Sequence, residues 1–269
     1  MNKVSKQINY CIDNIERSIV ADTSIGTKYS AAQKKKLYRE KEKLVNTFPA
    51  LKKLLDIKTI HTFPVEGVKN FGRIGFLPIA LVISDDRIKD MCQNQWWVPP
   101  MPGVKAAKKF MRCPGLGHHS SCPYFTPPAV KVRQMLDKAD IFIVLQSTLF
   151  NYFGGVTWQW NTINTLREKI EALFGKKAVL RQFGAGPCQY CYPEPCLTMG
   201  KCRHPEKQVP ALEAMGVPVA QLCRDLSLVT GDKSWEIKWI KHWGFPNQTP
   251  KKWKVNFALA VKLPKAGSR

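Results

Sequence analysis

Residues 129–184 read AVKVRQMLDKADIFIVLQSTLFNYFGGVTWQWNTINTLREKIEALFGKKAVLRQFG, and the change of pattern along this stretch decides the fold class. AVKVRQMLDKA follows Pro128 and predicts a helix. DIFIVLQSTLF is a β-branched and aromatic run that predicts a buried strand. NTINTLREKIEALFG predicts a second helix, and KKAVLRQFG a second strand. Upstream, GRIGFLPIALVIS (72–84) predicts another buried strand region and DDRIKDMC (85–92) a short helical turn. Downstream, VPALEAMG and PVAQLCRDLSL read as helical. Strands and helices alternate, with cysteine-bearing loops after strand-like segments. The expected fold class is α/β: an open mixed sheet with cysteine-rich metal-binding loops, an N-terminal helical extension and a C-terminal β-hairpin.

The second strand runs into GAGPCQYCYPEPCLTMGKCRHPEKQ (184–208), where Cys188, Cys191, Cys196 and Cys202 fall within fifteen residues. The spacing is Cys-x2-Cys-x4-Cys-x5-Cys. A Cys-x2-Cys pair sets two thiolates on one tight turn, and the longer spacers return the chain for two more ligands. Thiolates are soft donors, and four of them complete a tetrahedral zinc or one iron–sulfur cubane. The alternatives are buried thiols or disulfides. A zinc ribbon has two Cys-x2-Cys knuckles set well apart, and this loop has one. The uneven spacing is nearer to ferredoxin-type ligation, so a [4Fe-4S] cluster is expected, with zinc as the alternative. Arg203 and Lys207 bring positive charge beside the site. His204 could ligate, but beside four thiols it reads rather as a residue that supports the ligands or as simple packing.

Three more cysteines lie upstream: Cys92, then Cys113 and Cys122 within CPGLGHHSSCPYFTPP (113–128). They form either a second centre one thiolate short or part of a centre shared with the downstream loop. His118, His119, a borrowed cysteine or an external ligand could complete a second centre. An iron left open there would make the protein an enzyme for reduction or sulfur transfer, and whether it is an enzyme stays open. Cys11 falls on the apolar face of the first helix and Cys223 on a predicted helix, and both read as core.

The 269 residues include nine cysteines, an odd number. The start, MNKVSKQINY, shows no apolar signal segment, so a reducing, cytoplasmic setting is expected rather than a secreted disulfide framework. The longest apolar run, IGFLPIALVIS (74–84), falls short of the roughly 20 residues of a membrane span. Lys and Arg number 42 against 20 Asp and Glu, a formal net charge of +22. That excess favours an acidic protein partner or larger complex, or nucleic acid. There is no dinucleotide fingerprint and no phosphate loop.

Three segments are expected: a basic helical extension over 1–60, a cysteine-rich α/β metal-binding domain over 61–232, and a basic, Trp-rich β extension over 233–269. In the first, Val4, Ile8, Cys11, Ile12, Ile15 and Ile19 recur at helical spacing, and a second, Lys-rich helix runs from about Ser30 to Thr47. In the last, WEIKWIKHWGF and KWKVNFALAVKL alternate apolar residues with Lys around PNQTP. This predicts a hairpin with one buried and one basic face. Trp235, Trp239, Trp243 and Trp253 either pack that hairpin onto the core or offer a base-stacking platform.

The run GAGPCQYCYPEPCLTMGKCRHPEKQVPALEAMGVPV closely resembles the C-terminal motif of an uncharacterised prokaryotic family of cysteine-rich predicted metal-binding proteins. DDRIKDMC, MRCPGLGHHSSCPYFTPP and the following helix and strand are similar to the family's upstream order. The resemblance covers about residues 78–228. It departs at the insertion QNQWWVPPMPGVKAAKKF, which separates Cys92 from Cys113. The resemblance implies metal or iron–sulfur binding and, in many members, electron transfer. It supplies no substrate. The function expected is an iron–sulfur protein that passes electrons to, or helps assemble, a larger anaerobic enzyme system. The rivals are a zinc-stabilised nucleic-acid-binding protein and an open-site iron–sulfur enzyme.

Overall fold

The computed structural model describes residues 71–86, 88–89, 96–97, 110–111, 120–149, 152–185, 188, 190–191, 202–236 and 253–264, with helical positions Ala32, Lys35, Arg39, Glu42, Lys43 and Asn46. Those six positions fall inside the helix expected over 30–47. Cys11 and the rest of the first expected helix lie outside the described residues.

A four-stranded sheet organises the molecule. Its strands are β1 (Phe71–Pro78), β4 (Ile141–Leu149), β5 (Val179–Phe183) and β6 (Trp253–Val261). They lie in the order β1-β4-β6-β5, and every pairing among them is antiparallel. A separate two-residue ribbon pairs β2 (Trp96–Trp97) with β3 (Phe110–Met111). The helices are α1 (Ala129–Leu136), α2 (Tyr152–Phe174) and α3 (Val219–Thr230). The class is α/β as expected. The antiparallel pairing refines the mixed sheet: among the described residues a parallel bridge, Gly184 to Ala211, lies outside the strands.

Strand alternation sends side chains to two separate cores. Ile141, Ile143 and Leu145 of β4, with Val255, Phe257, Leu259 and Val261 of β6, face Trp160, Ile163, Leu166 and Ile170 of α2. Phe142 and Val144, with Ala258 and Ala260, face the other way, onto Val132 and Leu136 of α1 and Leu222, Cys223 and Leu226 of α3. A strand covered on both faces needs apolar residues at both parities, which is why IFIVL reads as an unbroken run.

β6 corrects the expected C-terminal hairpin. Residues 253–261 form an inner strand between β4 and β5 rather than one arm of an appended hairpin. Both parities of its described side chains, Val255 to Val261, are buried, so these residues present no basic face. Residues 237–252, where the other arm and the turn are expected, lie outside the described residues. Trp235 closes a short 3-10 turn and is buried against β1. A Cβ on Gly75 would come within 2.8 Å of its ring, so only glycine leaves that space on β1. Polar groups are also enclosed here: Gln146 Nε2 donates to the Trp235 carbonyl at 3.0 Å and to Asn256 Oδ1 at 3.1 Å.

Candidate metal centre

β5 delivers the chain to the four-cysteine loop, and the loop is closed at its neck by backbone bonds. Gly184 N–H donates to the Pro210 carbonyl at 2.8 Å, and Leu212 N–H donates to the Gly184 carbonyl at 3.1 Å. These bonds lay Pro210–Leu212 along the end of β5, and every cysteine from 188 to 202 belongs to the span they enclose. Cys188 sits just inside the neck. Its N–H donates to Ser121 Oγ at 3.2 Å, and its Sγ accepts from Val209 N–H at 3.4 Å. A backbone N–H aimed at a cysteine sulfur stabilises the thiolate over the thiol and tunes a metal bound to it.

The upstream cysteine region is stitched to the same place. Ser120 and Ser121, just before Cys122, are buried. Gln208 Nε2 donates to the Ser120 carbonyl at 2.6 Å, while Ser121 holds Cys188. A second joint follows at Glu213–Met215, which the sequence reads as helical and which forms a short 3-10 turn ending at Gly216. The carbonyls of Ala214, Met215 and Gly216 accept in turn from Thr126 Oγ1, Ser84 Oγ and Asp85 N–H. Gly216 has φ +76°, and a Cβ there would lie 2.6 Å from the Asp85 carbonyl oxygen, so conformation and space both require glycine. Burial pushes the carboxyl of Glu213 upward, with its own backbone bond offsetting part of the rise. Asp86 completes the stitching: its Oδ1 accepts from Ala129 N–H at the start of α1 and pairs with Lys89 at 2.9 Å.

Two cations attend the thiols. Arg181 lies on β5, where a bulge matters. Val179 pairs with Val261 but Arg181 pairs with Ala260, so Leu180 is an extra residue in the strand. The bulge moves Arg181 off the face it would share with Val179 and onto the face of Ala260 and Phe183. Burial holds its guanidinium below the ordinary value, while the charges of Cys188 and Cys202 push it back up. Its Nε is buried with no partner among the described residues, and one terminal nitrogen reaches Gln208 Oε1 at 3.5 Å. Lys207 lies at the surface, 5.2 Å from the centre of the Tyr190 ring. A hydrogen bond to Tyr190 raises its ammonium above the usual value, with Cys191 among the smaller contributors. His204 meets the Tyr190 ring edge-on at 5.9 Å, a packing contact, one of the roles expected for it.

Of the seven expected ligands, Cys122, Cys188, Cys191 and Cys202 are described, each partly exposed. Cys92, Cys113 and Cys196, with His118 and His119, lie outside the described residues. Among the described residues no three His, Cys, Asp or Glu side chains gather closely enough to hold a metal ion. Cys223 is fully buried in the core, as expected. Sequence reasoning missed Arg181. The available signal was a charged residue inside the apolar strand AVLRQF, where burial demands a counter-charge.

The chemistry of the loop fits a thiophilic metal centre. Its donors are thiols, Val209 N–H already points at one sulfur, and the half-buried Arg181 on β5 brings positive charge to the neck. These features define a cysteine-rich α/β domain of metal-binding type. Residues 101–238, just over half of the chain, match the family model "Predicted metal-binding protein (DUF2284)", and the chain belongs to that family. The match takes in Cys113, Cys122 and the whole downstream loop and leaves Cys92 outside. No curated protein and no solved structure matches the chain. Among the described residues, no helix is long and apolar enough to cross a membrane.

Proposed function

We propose that this metal-binding protein carries an iron–sulfur centre and passes electrons to, or helps assemble, a larger enzyme complex. Cys188, Cys191, Cys196 and Cys202 would hold one [4Fe-4S] cluster, and Cys113 and Cys122, with or without Cys92, would serve a second. The observation that carries the reading is the closed neck. Backbone bonds at Gly184 fix where the loop leaves and returns, and Val209 N–H supports Cys188 there. A bound cluster supplies one-electron chemistry. The chain supplies the thiols, the N–H donor to sulfur, the cation on β5 and the exposed Lys207–Tyr190 pair at the surface. The overall basic charge suits an acidic protein partner. Burial of Trp235 removes one of the four indoles from any base-stacking platform, which weighs against the nucleic-acid reading.

Anaerobically purified protein should be brown, with visible absorption that bleaches on reduction. It should contain about four iron and four acid-labile sulfide atoms per cluster. Colourless protein holding stoichiometric zinc would overturn the iron–sulfur reading and leave the metal site itself standing.

A further inference from the structure

We propose that Arg181 is the built-in counter-cation of the cysteine loop, held at the neck by the β5 bulge to balance the negative charge of the thiolate centre and set its potential. The inference rests on the reading that the downstream loop holds such a centre. Three independent features of the residue lead to it. The bulge at Leu180 re-aims Arg181 away from the α2 core. Among the described residues its Nε is enclosed without a hydrogen-bond acceptor, and its bond to Gln208 is long. It bonds Gln208, whose chain neighbour Val209 donates its N–H to Cys188 Sγ, so the guanidinium stands at the neck of the loop, where the charges of Cys188 and Cys202 favour its protonated form.

A charge taken out of water is tolerated when an opposite charge stands nearby, and leaving it uncompensated is costly. Among the described residues no carboxylate forms an ion pair with Arg181. Zinc or a cubane cluster bound by four thiolates carries net negative charge, so the loaded loop supplies what the guanidinium lacks. The coupling acts in both directions. The cation stabilises the more negative state of the centre, so for a redox-active cluster it favours the form that has taken up one electron from the external reductant. In a loaded cluster the electron would be taken up by the iron, with no proton or bond to Arg181 involved. Arg181 is therefore a positioning residue. Gln208 links it to the upstream region through the Ser120 carbonyl, so the same side chain that steadies the cation also ties the two cysteine segments together.

The test compares Arg181→Lys, Arg181→Met and Arg181→Gln in full-length, metal-loaded protein. It reads metal content, the reduction potential by anaerobic dye equilibration, and the rate of metal loss to a chelator. The two neutral variants should shift the oxidised-to-reduced ratio about tenfold toward the oxidised form, about 59 mV for a one-electron couple. Arg181→Lys should remain within about twofold of wild type (well under half of that 59 mV shift). Unchanged potentials in fully loaded neutral variants overturn the proposal. Neutral variants that fail to fold, beside a folded and loaded Arg181→Lys, support a requirement for the charge. Failure of Arg181→Lys as well shows a packing role and overturns it. Should the metal prove to be zinc, the iron–sulfur reading fails, yet this inference is still decided by chelator kinetics. Faster zinc loss from the neutral variants, with Lys retaining the wild-type rate, supports it, and equal rates in all four proteins sink it.

Discussion

Phe257 and Cys188 lie close in the fold but are held in different ways. Phe257, on an inner strand, is fully buried, with the Trp160 ring edge-on at 5.5 Å and its neighbours on β6 enclosed on both faces. Cys188, past the end of the adjacent strand, is partly exposed and depends on Ser121 Oγ and the Val209 N–H. The first region is stabilised by apolar area removed from water, which needs no ligand. The second is arranged by a few directional polar bonds and by charge. The sheet should therefore stand without metal, while the loop should take its final order from it.

The largest effect is expected where the apolar side of this contrast is deepest. Phe257→Ala should cost about 3–5 kcal/mol, read by denaturant unfolding, and by the same amount with or without metal. A cost that depends on metal would break the separation of sheet from loop. Next comes the joint between the two regions. Gly216→Ala must enter a left-handed conformation and meets the Asp85 backbone, for about 2–4 kcal/mol. Because the joint fastens both cysteine segments, this variant should also lose metal to a chelator faster; a stability loss with wild-type metal retention would show that the joint serves the sheet alone. The smallest effect sharpens the loop side. Ser121→Ala removes the acceptor for Cys188 N–H and should cost about 1 kcal/mol or less in global stability. Its signature should be faster metal loss instead, and equal retention would remove Ser121 from the site.

How much of this was legible in the sequence depended on whether a residue's environment is local. β4 was plain because five successive apolar residues can satisfy only a strand covered on both sides. α1, α3 and the burial of Cys223 followed from spacing alone. The start of α2 was read too late, since Phe153–Gly155 looks like a breaker until the helix is anchored by its buried stripe from Trp160 to Ile170. β6 was misjudged because Lys252 and Lys254 alternate with Trp253 and Val255, as in a half-exposed strand. The small residues Ala258 and Ala260, which let α1 and α3 approach, carry the opposite message. The joint at Gly216 depends on partners about ninety and one hundred and thirty residues away in the chain, and the aim of Arg181 depends on one extra residue in a register. Neither leaves a periodic trace.

The stitching at both ends of the span 90–119 has a further consequence. On one side Asp86 and Lys89 are tied to Ala129 and the Pro127 carbonyl; on the other, Ser120 is tied to Gln208. The span thus leaves and re-enters one fixed block, and the β2–β3 ribbon pairs within it. The entropy of closing such an excursion grows only logarithmically with its length, by about 0.6 kcal/mol per doubling. Chain can therefore be added between β2 and β3 at little cost to the sheet. Length variation there would leave the bonds at Gly184 that close the cysteine loop as they are.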